Sequence, residues 1–209
     1  AKPSREDRAR VPHYLIDIID PNEDFTLATY QELAFQAIAD IQRRGKLAFL
    51  VGGSGLYVRA VTGGLSIPKV APDYGLRRNL EERAEEEGYQ ALYKDLQKLD
   101  PQAAEKIDPR NVRRTIRALE VCLTAGVPFS QLRKSSPKVS SITIGLTTDR
   151  DDLYRRIDSR VDEMINNGLV NEVECLIGRG YSPDLPAMSS LGYKQIIDHL
   201  KGEASLEEA

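Results

Sequence analysis

The run Lys46-Leu47-Ala48-Phe49-Leu50-Val51, followed at once by Gly52-Gly53-Ser54-Gly55 and then by Leu56 to Val61, is the feature that most narrows what this chain can fold into. A short, uninterrupted apolar run has the pattern of a strand buried on both faces, and such strands belong to parallel sheets. The glycine-rich turn leads directly into helix-forming residues that Gly63-Gly64 stop. Upstream, His13 to Ile19 is a second short apolar run, closed by Asp20-Pro21-Asn22. Between the two, Thr26 is placed to cap a helix carrying Leu27, Tyr30, Leu33, Ala34, Ala37, Ile38 and Ile41 at helical spacing, with its end at Gly45. Strand, helix, strand, helix predicts an α/β fold with a parallel sheet.

The pattern changes after Ser66. Pro68 and Pro72 mark a linker, and from Asp73 to Ala125 every signal is helical. Leu76, Leu80 and Ala84 form one stripe ending at Gly88, and Leu92, Leu96 and Leu99 form a second. Asp100-Pro101 and Asp108-Pro109 each have the form of an N-cap followed by proline at the first helical position. Val139 to Thr147 then restores a β-rich run. A helix with Leu153, Ile157, Val161 and Met164 on one face follows, and helices are predicted over 169–177 and from Ser190 to Leu200. The expected division is an α/β core of residues 1–66 and 139–209, interrupted by an all-helical insertion over 67–138. Ala1-Lys2-Pro3-Ser4 has the pattern of the middle of a loop. Ser205 and Glu208 form a capping box that announces a helix as the sequence stops, so both ends are expected to be cut.

Composition excludes several classes. A chain of 209 residues can bury one sizeable core, so one to two domains are expected. No apolar run approaches the ~18 residues of a membrane span. Two cysteines and two histidines, far apart, exclude a disulfide scaffold and a His/Cys metal site. Cys122 and Cys175 are predicted to be core thiols, His13 and His199 structural or exposed, and a cytoplasmic home fits reduced thiols. The net charge of −3 is uninformative, but from Asp108 to Lys138 seven Lys/Arg stand against Asp108 and Glu120, a surplus of five. A mildly acidic chain can still own one basic surface.

Three features could carry chemistry. The Gly52–Gly55 turn sits where open α/β sheets bind ligands, with the Ser54 hydroxyl facing the crevice, or it is a plain tight turn. At 100° per residue, Arg110, Arg113, Arg114 and Arg117 fall within a 100° arc opposite Val112, Ile116, Leu119 and Leu123. Four arginines on one face suit a phosphate backbone, unless acids of the run Glu81 to Glu87 pair with them. Arg160 projects close to Leu153, on a face that should be buried, so it needs a partner there. A protein carboxylate and an anionic ligand both qualify, and Arg156 one turn earlier could assist.

Taken together, RARVPHYLIDIIDP, RRGKLAFLVGGSGLYVRAV, NVRRTIRALEV, LYRRIDSRVDEMINNGLVNEV and LGYKQIIDHLKGE resemble the tRNA dimethylallyltransferase (tRNA isopentenyltransferase) family over essentially the whole chain. The resemblance implies a P-loop NTPase-like parallel-sheet core with a helical insertion that grips the tRNA anticodon stem-loop. It also implies transfer of the dimethylallyl group of dimethylallyl diphosphate to N6 of the adenosine 3′-adjacent to the anticodon, releasing diphosphate. Ser54 stands where the family has threonine in its GGTGLY block, beside the target adenosine. Arg160 matches the arginine that holds the diphosphate. Arg77 and Arg113-Arg114-Thr115-Ile116-Arg117 match positions that contact tRNA. The GxxxxGK[ST] loop, the aspartate general base and the hydroxyl that helps bind Mg²⁺ have no match in these residues. Mg²⁺ is therefore expected to take its ligands outside them, and the 209 residues alone are expected to be inactive. A monomer with no membrane association is expected. The rival readings are an adenylate isopentenyltransferase, which uses a free nucleotide, and a non-catalytic RNA-binding remnant.

Overall fold

The computed structural model describes residues 2–132 and 139–209. Its elements are α1 (Arg5–Arg10), α2 (Leu27–Arg43), α3 (Gly55–Thr62), α4 (Tyr74–Glu87), α5 (Tyr89–Leu99), α6 (Pro101–Ala104), α7 (Val112–Ala125), α8 (Arg150–Asn166), α9 (Leu169–Gly178) and α10 (Tyr193–Leu200). They fall into two compact units, Thr26–Ser141 and Ala1–Phe25 with Ile142–Ala209.

Local signals account for the helices of the first of these units. The Thr26 hydroxyl accepts from Thr29 N, Asp73 from Leu76 N, Asp100 from Ala103 N and Asn111 from Arg114 N. Each such cap contributes about 1 kcal/mol. Gly126 closes α7 with φ 68°, a left-handed conformation that costs glycine nothing. The predicted stripes then meet: Leu80, Leu92, Leu96, Ile107, Ile116 and Leu119 form one core. Leu92 and Leu96 are fully buried, and each contributes about 1.5–3 kcal/mol of hydrophobic stabilisation. In the same unit, α2 holds α3 through two adjacent residues. The Tyr30 and Tyr57 rings stack with centroids 4.2 Å apart, and the buried Gln31 amide donates to Ala60 O at 2.5 Å and Leu65 O at 2.8 Å.

The other unit has a smaller core of Val173, Met188, Ile196 and Ile197, supplied by α9, α10 and the loop between them. The Ser4–Asp7 capping box opens α1 where the sequence suggests a loop. The box at Ser205 and Glu208 forms as expected but closes over a single turn.

Several expectations change. No β-ladder forms among the described residues, so the segments predicted as strands are unpaired there. Leu47, Phe49 and Val51 alternate along one exposed run, Val51 at 89%, and Ile142, Ile144 and Leu146 along another, Leu146 at 96%. A strand's backbone groups are satisfied only by neighbouring strands, which local sequence cannot supply. Residues 13–19 depart further, because Leu15 (φ 60°) and Asp17 (φ 54°) break the extended run. Asp108-Pro109 does not open a helix. Asp108 accepts from Arg110 N at 2.9 Å and pairs with its guanidinium, so the cap passes to Asn111 and α7 begins at Val112. Finally, α8 has no buried residue: Leu153, Ile157 and Val161 are all close to half exposed. Cys122 is buried as expected, whereas Cys175 is exposed, one turn from Asn171 on the outer side of α9.

Candidate nucleic-acid interface

The first turn of α7 carries arginines because its other faces are spent on the core. Thr115, Ile116, Ala118, Leu119, Glu120, Val121 and Cys122 are all buried. Arg113 and Arg114 stay exposed, and neither forms an ion pair among the described residues. Arg110 lies before the helix and is paired with Asp108 at 3.2 Å, so the arc of four predicted from helical spacing does not form as drawn. Asp108, Arg110, Asn111, Val112 and Arg113 line an open depression at this end. The acids at 81–87 do not pair with this edge among the described residues. Glu87 takes Arg83 of its own helix instead. Of the local surplus of positive charge, Arg133, Lys134 and Lys138 lie outside the described residues.

Arg117 behaves differently from its neighbours. Its guanidinium donates to Glu120 Oε2 at 2.5 Å and to Val70 O at 2.9 Å, leaving it a third exposed. Arg77 reaches the same carboxylate from α4, donating from Nε to Oε1 at 2.9 Å and from Nη2 to Oε2 at 3.0 Å. It also lies over the Tyr74 ring, 5.7 Å from the centroid. Asp73 N–H completes the set at 2.7 Å from Oε1. Burial by itself would push the Glu120 carboxyl up, but the Arg77 and Arg117 hydrogen bonds and the Asp73 N–H hold it below the ordinary range. Thr115 and Ile116, which the resemblance places among the tRNA contacts, are turned into the core instead, at 1% and 3% exposed. Neighbours of outward-facing arginines on a helix must point elsewhere.

In the sequence Glu120 stands out only as one of two acids against the local positive surplus, near the edge of the arginine arc. A signal was present: it lies within about 40° of Ile116 on the apolar side of α7, where a charge demands partners.

Ser54 is the N-cap of α3, yet its side chain makes no capping bond and is exposed. Around it, Gly52, Gly53 and Gly55 have open space where a Cβ would stand, and none has positive φ. Neither packing nor backbone conformation in this chain requires three glycines here.

In the other unit, Arg156 and Arg160 share one side of α8 and line an open depression with Asp152, Arg155, Ser159 and Glu163. Both are exposed, and neither has an ion pair among the described residues; Asp152 is taken by Arg155. Arg160 is thus a solvent-facing cation, not the buried one its spacing suggested. Among the described residues no group of three or more His, Cys, Asp or Glu could hold a metal ion. No helix among them is long and apolar enough to cross a membrane.

The family model for IPP transferase matches residues 1–209, the entire chain. The chain belongs to the IPP transferase family. Relatives include the tRNA dimethylallyltransferases of Thermomicrobium roseum, 50% identical over 209 residues, and of Roseiflexus castenholzii, 51% identical over 210 residues. The whole of this chain is covered in both, against 64% and 69% of those proteins, so it spans about two thirds of their length. The full-length tRNA isopentenylpyrophosphate transferase of Bacillus halodurans is similar at 43% identity with a TM-score of 0.62, covering 99% of this chain and 65% of that one. A eukaryotic dimethylallyltransferase acting on tRNA aligns at 25% identity with a TM-score of 0.75, covering 97% of this chain and 52% of its own. Membership of the IPP transferase family agrees with the resemblance carried by the GGSGLY and NVRRTIRALEV blocks.

Proposed function

We propose that the whole protein carrying this sequence transfers the dimethylallyl group of dimethylallyl diphosphate to N6 of the adenosine 3′-adjacent to the anticodon of tRNA. The observation that carries the proposal is the arginine edge of α7: Arg113 and Arg114 exposed and without ion pairs among the described residues, beside Arg77 and Arg117 on one carboxylate. It occurs in a chain whose relatives bear the name tRNA dimethylallyltransferase.

The chemistry asks for a clamp and a platform. N6 of adenosine is a weak nucleophile because its lone pair is delocalised into the ring. The allylic carbon becomes a good electrophile as its bond to diphosphate breaks, since the positive charge is shared along the allyl system. The C–N bond forms as the C–O bond breaks, and N6 gives up one proton. In this proposal Arg160, with Arg156, receives the charge growing on the diphosphate oxygens. The uncapped Ser54 hydroxyl orients the adenosine amine, with the open glycine turn letting the base approach. Arg77, Arg113, Arg114 and Arg117 hold the phosphates of the stem-loop, and Thr115 and Ile116 serve them by packing. Mg²⁺, when bound, would add charge to neutralise the diphosphate, from ligands outside these residues. The exposed alternating runs at 46–51 and 142–146 fit strands of a P-loop-type parallel sheet, and their apolar side chains support that fold.

The test uses the whole protein with labelled dimethylallyl diphosphate and an anticodon stem-loop. Arg160→Ala is expected to bind the stem-loop as the parent does and to lose transfer by about a hundredfold or more. Unchanged transfer rejects the diphosphate role. Transfer to free adenosine monophosphate with none to tRNA makes the protein an adenylate isopentenyltransferase, and RNA binding without any transfer makes it a binding protein.

A further inference from the structure

Glu120 is wholly buried, and the four positions at which a carboxylate accepts are all taken, by Asp73 N–H, Arg77 Nε and Nη2, and Arg117 Nη1. Its two guanidinium partners come from different helices, α4 and α7, with 43 residues separating Arg77 from Glu120. Each guanidinium is buried on the side that meets Glu120 and keeps a third of its side chain in solvent. A free arginine has several rotatable bonds and loses rotamer entropy when it docks on a ligand. These two have already lost most of it. Each uses two of its five N–H groups on Glu120 or, for Arg117, on Glu120 and Val70 O, which leaves three donors per arginine beyond those bonds.

We infer that Glu120 is a positioning residue for nucleic-acid recognition: it fixes Arg77 and Arg117 as one preset fork for an RNA phosphodiester and lowers their joint charge from two to one. The inference rests on the proposal that this face meets the tRNA stem-loop. Two consequences separate it from a staple between α4 and α7. A staple affects every RNA alike through the fold. A preset fork of reduced charge favours RNA of the right shape and disfavours RNA held by charge alone.

The experiment measures binding of the whole protein to the anticodon stem-loop and to a scrambled single strand of equal length, each across a salt series. Glu120→Gln keeps the shape and removes the charge. The preference for the stem-loop is expected to fall by about tenfold, the loss of charge-assisted hydrogen bonding that held the fork. The salt dependence on the scrambled strand should steepen by about 0.7 in log–log slope, because one more positive charge is free. Parallel weakening of both RNAs, or an unchanged preference, overturns the inference. Arg77→Lys provides the decision if Glu120→Gln does not fold. It keeps the charge, cannot form the two-pronged bond, and should reduce the preference about as much, while an unchanged preference overturns the inference. A parent protein that shows no preference for the stem-loop defeats the underlying functional proposal, and the inference with it.

Discussion

Replacing Asp100 should unfold the Thr26–Ser141 unit more readily than any single hydrogen bond explains. Asp100 is 1% exposed and does two jobs. Oδ1 caps α6 by accepting from Ala103 N at 3.0 Å. The same carboxylate receives Ser130 twice, its hydroxyl on Oδ1 and its N–H on Oδ2, both at 2.7 Å, fastening the segment after α7 to the start of α6. Losing the cap costs about 1 kcal/mol, and losing two charge-assisted bonds costs about 1.5–3 kcal/mol each when counted singly. Because the three share one group they do not add fully, and Asp100→Ala is expected to cost about 3–5 kcal/mol. Ser130→Ala removes only the hydroxyl bond, at the low end of the range for a charge-assisted bond because Ser130 is partly exposed, about 1.5 kcal/mol. Asp100→Asn keeps both bonds to Oδ1 but sets an NH₂ against Ser130 N–H, placing it between the two at about 2–3 kcal/mol. Urea unfolding followed by circular dichroism ranks the three. A cost for Asp100→Ala below about 1 kcal/mol, or one equal to that of Ser130→Ala, would refute the account.

Replacing Arg113 and Arg114 together by Gln should leave the thermal midpoint unchanged, since neither pairs with another residue among those described. The same change should reduce the salt slope of stem-loop binding by about 1.4–1.8, at about 0.7–0.9 for each phosphate that is no longer neutralised. Acid should act on the same unit. Glu120 and Asp100 would both be raised by burial, but the Arg77 and Arg117 bonds hold the first below its ordinary 4.5, and the Ser130 and Ala103 bonds hold the second below 3.8. The unfolded chain therefore takes up protons first. The stabilisation is complete above those ordinary values and drains away as pH falls through the lower folded ones. Urea midpoints measured from about pH 5 downward should fall, and the double variant Glu120→Gln, Asp100→Asn should show a flatter acid limb.

What could be read in advance followed the range of the forces involved. Thr26, Asp73 and Asp100 cap helices through bonds spanning three residues, and the Leu76–Leu80 and Leu92–Leu96 stripes are set by helical geometry alone. All were visible in local sequence. Strands predicted at 46–51 and 139–147 would depend on neighbours that spacing cannot name, and among the described residues neither segment is paired in a β-ladder. The arginine face was half legible. Arg113 and Arg114 point outward as their angles require, whereas Arg117 is drawn in by Glu120, Val70 and, across the bundle, Arg77. Arg160 misled for the opposite reason. Its spacing assigned it to a covered face, and no residue of α8 is buried in this structure.

Helix α3 is moored from its first turn to just past its last. Tyr57 in the first turn lies against Tyr30, and Gln31 grips the carbonyls of Ala60 and, beyond the helix, Leu65, while a Cβ added at Gly52 or Gly53 just ahead of Ser54 would meet nothing within 4 Å. Alanine at Gly52 or Gly53 would therefore find room without disturbing the packing that holds α3.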